Sequence, residues 1–340
     1  MTGEIMKLDR VEELLRGFSS KRVLVIGDLM LDEFVWGRVS RISPEAPVPV
    51  VEVIRESYYA GGAANVARNV REFTPSVFVM GLIGGDTHAQ KLRTLLEENG
   101  ISLEGLQNDP SFQTIVKTRI IARQQQVVRV DRERRYPLSS EAQARCVEKV
   151  RELLPQLDAV IFEDYGKGLL QQNFVDKVAA LARGAGKLVT ADPNPHNRLV
   201  WRGVTAVKPN RIEAFAAANQ PWHEPEPNPL RDRQLLFVGA ELLRAWNPDF
   251  LLVTLGEQGM ILFDQRNPPF HVPSRAREVY DLSGAGDTAI GLFTLALASG
   301  ASAIEAAEIS NHASSVVVGK LGTATLTPDE LLESFHQRNG

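Results

Sequence analysis

Arg22-Val-Leu-Val-Ile-Gly27 is short, β-branched and closed by glycine, which is the pattern of a buried strand. Working outward from it, Ser76 to Ile83, Asp158 to Phe162, Lys187 to Ala191, Val204 to Val207 and Phe250 to Leu255 carry the same signature. Most are separated by helix-length segments such as Ala63 to Phe73, Asp86 to Asn99 and Ser139 to Leu154, and an amphipathic helix (Leu8, Val11, Leu14, Leu15, Phe18) precedes the first strand. Strands alternating with helices predict an α/β fold: a mainly parallel central sheet flanked by helices, with ligands at the carboxyl ends of the strands. Two stretches break the alternation. Glu33 to Glu56 and Gln113 to Asp131 are rich in Val, Ile, Thr and aromatics without a helical period, and predict a small antiparallel β flap, or lid, over the sheet edge. Pro221 to Pro229 holds four prolines and reads as a surface loop. No repeat or low-complexity linker appears, so residues 1–340 read as one domain carrying the flap.

The chain has 340 residues, with 38 Lys and Arg against 42 Asp and Glu, a formal charge of −4 that argues against a dedicated nucleic-acid binder. A 44% apolar composition is ample for a packed core. The single cysteine, Cys146, allows no internal disulfide or thiolate cage, and the scattered histidines form no zinc motif. No apolar run approaches the ~18 residues that span a bilayer, and Met1 to Lys7 lacks the apolar core of a leader. These features predict a cytoplasmic protein with no membrane partner.

The most informative chemistry lies in Asp281-Leu-Ser-Gly-Ala-Gly-Asp287, which opens a long apolar helix pattern ending near Ala298. The amides of Gly284, Ala285 and Gly286 then fall at a helix N-terminus, where free donors and the positive dipole end favour an anion. Asp287, in the first turn, is placed to take a proton from an attacking hydroxyl; a plain helix-start aspartate is the structural alternative. The same glycines, with Ala289 and Glu305, also fit a dinucleotide fingerprint, but Ala301 to Val318 reads as helix where that template needs a strand. Gly166-Lys167, Gly186-Lys187 and Gly319-Lys320 lack the Ser or Thr of a Walker A loop, so a bound ATP would be held without one. Gly61-Gly62-Ala-Ala-Asn65 opens another helix, where glycines admit a polar ligand and Asn65 offers both a donor and an acceptor. Asp28 and Asp32 follow the first strand at the ligand-binding end, where paired carboxylates suit sugar hydroxyls.

Gly61-Gly62 with Asn65, Asn210-Arg-Ile-Glu213, Thr254-Leu-Gly256-Glu-Gln-Gly259 and Asp281 to Asp287, in this order, resemble the ribokinase-like (PfkB-type) sugar kinases over nearly the whole chain. Gly27 to Asp32, Arg41 to Val50, Lys117 to Asp131, Asp164-Tyr-Gly-Lys-Gly168 and Val318 to Ala324 further resemble the D-glycero-β-D-manno-heptose-7-phosphate kinases. The resemblance implies an ATP- and Mg²⁺-dependent kinase that phosphorylates the anomeric hydroxyl of D-glycero-D-manno-heptose 7-phosphate to the 1,7-bisphosphate, in the synthesis of nucleotide-activated heptose for bacterial lipopolysaccharide. Another sugar or sugar phosphate, or a catalytically silent sugar- or nucleotide-binding regulator, are the alternatives. In this reading Asp287 is the base and Gly284, Ala285 and Gly286 are the anion hole. Asp32, Gly61, Gly62 and Asn65 hold the sugar. Asn210 and Glu213 organise Mg²⁺-bound phosphate through water, Thr254, Gly256 and Asn311 surround the nucleotide, and Asp281 contributes to a K⁺ site as in some relatives.

Ala89, Gln124 and Ser283 depart from the commoner glycine, histidine and threonine of such kinases. Many heptose kinases are fused to a nucleotidyltransferase with an H-x-G-H motif, which this sequence lacks; the expectation is that it does not make the sugar nucleotide itself. Lys117 to Arg135 carries seven basic residues against Asp131 and Glu133, a local field suited to an anionic substrate. Arg119, Arg129 and Lys167 are the candidates for the 7-phosphate, and Arg132, Arg134 and Arg135 are expected to form a solvated face. A flap with an apolar side needs cover from either bound substrate or another subunit, and the resemblance to kinases that often pair through such flaps implies a homodimer.

Overall fold

The computed structural model describes residues 6–123, 125–276, 279–320 and 322–336. Its strands are β1 (Arg22–Gly27), β2 (Leu29–Ile42), β3 (Pro49–Gly62), β4 (Ser76–Met80), β5 (Leu82–Ile83), β6 (Gln107–Asn108), β7 (Ile115–Ala122), β8 (Gln125–Arg132), β9 (Ala159–Glu163), β10 (Leu188–Asp192), β11 (Ala206–Val207), β12 (Phe250–Thr254), β13 (Met260–Asp264) and β14 (Phe270–Val272). The helices are α1 (Leu8–Phe18), α2 (Ala63–Arg71), α3 (Thr87–Glu98), α4 (Ser140–Leu153), α5 (Gln172–Gly184), α6 (Arg211–Ala217), α7 (Arg233–Trp246), α8 (Ala285–Ala298), α9 (Ala303–Val318) and α10 (Pro328–His336).

Eight strands form the central sheet in the order β14-β13-β12-β11-β10-β9-β1-β4. Pairing is parallel from β4 to β12, and β13 and β14 close one edge antiparallel. Alternation along β1 divides the core. Val23 and Val25 join the cluster made with α1, α2, α8, α9 and α10, while Leu24 and Ile26 join the one made with α4, α5, α6 and α7. The predicted strand over Ser76 to Ile83 is two strands, because a side chain at Gly81 would collide with Leu29 and the chain turns away there to pair with β6. Helix α8 is buried along nearly its whole length, as an apolar helix without a polar stripe must be, and packs on α2, α9, β9 and β10.

The flap is a four-stranded sheet, β3-β2-β7-β8. Its β2–β3 and β7–β8 pairs are antiparallel, whereas the central β2–β7 pair is parallel, since β7 arrives after a long excursion rather than by a hairpin. The strands reach further than predicted, back to Leu29 and Gly62, so the flap is continuous with the end of β1 and the start of α2. Gln124 lies outside the described residues. Among the described residues no helix is long and apolar enough to cross a membrane.

Candidate active site

Charged and polar groups gather where the central strands end. Asp28 follows β1, Glu163 ends β9, Asp192 ends β10 and Lys208 follows β11, all of them buried. Above them α8 begins. Gly284 is its N-cap in the left-handed region (φ 82°), and a β-carbon there would sit 2.9 Å from Asn65 Nδ2, so both the turn and the packing require glycine. The Ala285 amide is already turned to the Leu282 carbonyl at 3.3 Å, which leaves the next first-turn amides, those of Gly286 and Asp287, as the stronger anion donors.

Asp287 is buried in that first turn. Asn65 Nδ2 donates to one carboxylate oxygen at 2.6 Å and the Tyr165 hydroxyl to the other at 3.1 Å. The next residue, Thr288, donates through Oγ1 to Asn69 Oδ1 at 2.9 Å, and Asn69, one turn along α2, donates through Nδ2 to the Asn65 carbonyl at 2.9 Å, fixing the register of α2 against α8. Burial pushes the Asp287 carboxyl above the ordinary aspartate range, against the opposing pull of Asn65, Tyr165 and Lys208. The result is a stronger proton acceptor than a solvated aspartate, already oriented by two donors.

Beneath it, Lys208 Nζ pairs with Asp192 at 2.8 Å, with side chains only 3% and 11% exposed. A methyl group built on Gly286 would lie 3.5 Å from that ammonium and 3.8 Å from Asp192 Oδ2, which places the pair directly under the start of α8. Glu163 is held far above the usual carboxylate range by burial and by neighbouring Asp192 and Asp287, and its Oε2 is buried without a hydrogen-bond partner. These residues and Tyr165 were missed in the sequence. The available signal was a charge directly after each apolar run: Ala159 to Glu163, Leu188 to Asp192 and Val207-Lys208.

Thr254, Gly256 and Asn311, the residues expected around a nucleotide, line one cavity of about 520 Å³ together with Ala285 and Gly286. Asn210 bridges to Thr254, yet its side chain is committed to a capping box. Asn210 Oδ1 accepts from the Glu213 amide at 2.9 Å and Glu213 Oε2 accepts from the Asn210 amide at 2.8 Å. Glu213 lines a separate cavity of about 340 Å³ beside Trp201 and Trp246. Asp281 accepts the amides of Ser283 (2.9 Å) and Gly322 (3.1 Å), and these bonds hold it ionised below the usual range. Among the described residues no group of three His, Cys, Asp or Glu side chains forms a metal cage.

On the flap side, Asp32 is buried and ion-paired with Arg119, whose guanidinium also lies over Phe34. Gly61 and Gly62 end β3, and a side chain at Gly61 would strike the Asp32 carboxylate. Arg119 and Arg129 are cross-strand neighbours, but Arg129 is half exposed and forks onto Asp131 at 2.9 and 3.0 Å. Lys167 bonds Glu133 at 2.6 Å, which Lys117 also contacts at 3.0 Å. Arg132, Arg134 and Arg135 are exposed. Asp28 is turned to the backbone: its carboxylate accepts the amides of Tyr165, Lys167 and Leu169, shaping the loop that carries Tyr165. Ala89 is buried in α3, where its amide is capped by Asp86.

The pattern of the family described as pfkB family carbohydrate kinase matches residues 20–330. The chain is 41% identical over 315 residues to the bifunctional protein HldE of Desulfatibacillum aliphaticivorans, covering 92% of this chain and 63% of that protein. It is 40% identical over 327 residues to the protein of the same name from Geotalea uraniireducens, covering 96% and 65%. It thus spans a little under two thirds of the length of these relatives. Among solved structures, Arabidopsis thaliana ribokinase complexed with ribose and ATP superposes with a TM-score of 0.71 at 19% identity, covering 93% of this chain and 99% of that one. Escherichia coli phosphofructokinase-2 in complex with potassium gives 0.74 at 17%, covering 94% and 99%. The fold is therefore ribokinase-like, and the chain belongs to the pfkB family of carbohydrate kinases.

Proposed function

We propose that this carbohydrate kinase transfers the γ-phosphoryl group of ATP to the anomeric hydroxyl of D-glycero-D-manno-heptose 7-phosphate, giving the 1,7-bisphosphate for nucleotide-activated heptose synthesis in the cytoplasm. The observation that carries the chemistry is Asp287, buried at the start of α8 and oriented by Asn65 and Tyr165. The acceptor oxygen bonds to the γ-phosphorus, the bond from that phosphorus to the β–γ bridging oxygen breaks, and the acceptor proton passes to Asp287. The first-turn amides of α8 and the ammonium of Lys208 stabilise the charge on the transferring group. The nucleotide lies along the Thr254, Gly256 and Asn311 cavity, whose lining reaches Gly286.

The buried, unpartnered oxygen of Glu163 beside Asp192 fits a site completed by a cation, so Mg²⁺ would be held by the nucleotide phosphates above Glu163 and Asp192, with Glu213 and Asn210 farther out through water. When bound, it neutralises phosphate charge. Asp281, kept ionised, suits a K⁺ site under the same helix start. Asp32 with Arg119, Asn65, Gly61 and Gly62 hold the sugar; Arg119, Arg129 and Lys167 supply positive charge around a phosphorylated acceptor. Exposed Ile42, Val48, Val53, Ile54, Val127, Val128 and Val130 on the flap favour a homodimer paired there.

Identification of the heptose rests on the sequence strings shared with heptose-7-phosphate kinases. An ADP-release assay over a panel of sugars and sugar phosphates tests it. The highest kcat/KM is expected for heptose 7-phosphate; a higher value for another acceptor overturns the assignment.

A further inference from the structure

We infer that Arg68, with the hydroxyl of Thr323, forms an anion-recognition point for the phosphate that the acceptor sugar already carries. The inference deepens the proposed function and rests on the sugar lying between Asn65 and the flap. Arg119, Arg129 and Lys167 each touch a carboxylate of this chain, namely Asp32, Asp131 and Glu133. Arg68 does not. It sits on α2 one turn beyond Asn65, facing the same way, only partly exposed, and among the described residues no Asp or Glu oxygen lies within ion-pair distance of it. Its Nη1 makes two long contacts, to Asn65 Oδ1 at 3.4 Å and to the Thr323 carbonyl at 3.4 Å, both near the limit of a hydrogen bond.

A guanidinium withdrawn from water without a counter-charge is unfavourable unless a ligand supplies one. Burial outweighs the more distant Glu72, Tyr59 and Asp32 at Arg68, in keeping with that imbalance. The second observation is independent of the first. Thr323 Oγ1 is buried and has no hydrogen-bond partner, although its own carbonyl contacts Arg68. A planar fork of donors beside an unsatisfied hydroxyl matches a phosphate monoester, whose several oxygens can take charge-assisted bonds from both. The position also fits the reaction: one amide group, that of Asn65, separates Arg68 from the base Asp287, so Arg68 lies within reach of the molecule whose hydroxyl Asp287 deprotonates.

The test compares kcat/KM for heptose 7-phosphate, unphosphorylated heptose and ATP in wild type, Arg68→Met, Arg68→Lys and Thr323→Val. Arg68→Met is expected to lower kcat/KM for the phosphorylated sugar roughly 10- to 100-fold through KM, with a small effect on the unphosphorylated sugar and on ATP. Arg68→Lys should keep part of the preference and Thr323→Val should lose a smaller part. Equal losses on both sugars in Arg68→Met would overturn the inference and leave the heptose assignment standing. If Arg68→Met does not fold, an unchanged phosphate preference in both Arg68→Lys and Thr323→Val overturns it equally. A wild type that prefers a different sugar phosphate would overturn the heptose assignment, and the same variants on that substrate then decide for or against Arg68. A wild type that uses only unphosphorylated sugars overturns both.

Discussion

The charges at the strand ends and the charges on the flap are organised on opposite principles. Glu163, Asp192, Lys208 and Asp287 are withdrawn from water and crowd one another; burial pushes the three carboxyls up, while the neighbouring carboxylates raise Lys208 against its burial. On the flap, Arg129 with Asp131 is paired within reach of solvent, Lys167 from the loop after β9 pairs with Glu133 at the end of β8, and β8 is exposed along its whole length. Exposed pairs contribute roughly 0 to 1 kcal/mol and exchange partners easily, whereas buried charges act at low effective dielectric and respond strongly to loss of a neighbour. The flap can therefore re-pair around an incoming anion while the strand ends keep a fixed electrostatic geometry for the chemical step.

The largest effect should come from the centre. Asp287→Asn keeps the shape and the helix start but cannot take the proton, so turnover should fall by ~10² to 10⁴-fold with nucleotide affinity and thermal stability nearly intact. Near-normal turnover of pure variant would remove Asp287 from the mechanism. Next in size, Lys208→Met leaves Asp192 buried without its partner and should destabilise the protein by about 3–5 kcal/mol in denaturant unfolding, with Lys208→Met/Asp192→Asn recovering part of it. A Lys208→Met variant within ~1 kcal/mol of wild type would show that the cluster is solvated after all.

A third contrast is in pH. Asp164 is pushed up to about 7 by burial, and Asp28, Glu163, Asp192 and Asp287 are also raised. A carboxyl whose folded pKa exceeds its unfolded value binds more protons in the folded state. Its contribution is fully present below the unfolded pKa and is lost as pH rises toward the folded one. Apo-protein stability should thus decline between about pH 4 and pH 7, by up to ~1.4 kcal/mol per pH unit for each such group, and Asp164→Asn should flatten the slope. A stability curve that rises over that interval would contradict the buried-acid description.

Much of this division was legible in the sequence, and the reasons for the rest are physical. Apolar runs announced β1, β9, β10 and β12, because burial on both faces of a parallel sheet leaves a continuous hydrophobic string. The helix start at Asp287 was legible from small residues before an apolar run. The partners were not. Asn65 and Asp287 are 222 positions apart, and only the packing of α2 on α8 makes them neighbours. Likewise, nothing local told Arg119, which is paired with Asp32, from Arg68, which has no carboxylate beside it among the described residues. The antiparallel hairpin of β13 and β14 was also missed, since its short strands follow a turn that gives no helix to alternate with.

The smallest effects belong to the flap. Arg129→Ala should change stability by less than ~1 kcal/mol, as expected for an exposed pair. Association is the more telling readout there: light scattering should give a dimer for wild type and a monomer for Ile54→Asp/Val128→Asp, and a wild-type monomer at high concentration would reject pairing through this surface.

The most direct test of the whole account is the product itself. Wild-type enzyme incubated with ATP, Mg²⁺ and heptose 7-phosphate should show, by ³¹P NMR, the 7-phosphate signal retained and a new anomeric phosphate signal growing in step with ADP. ADP formed without a new sugar phosphate, or a phosphate placed at a non-anomeric carbon, would contradict it.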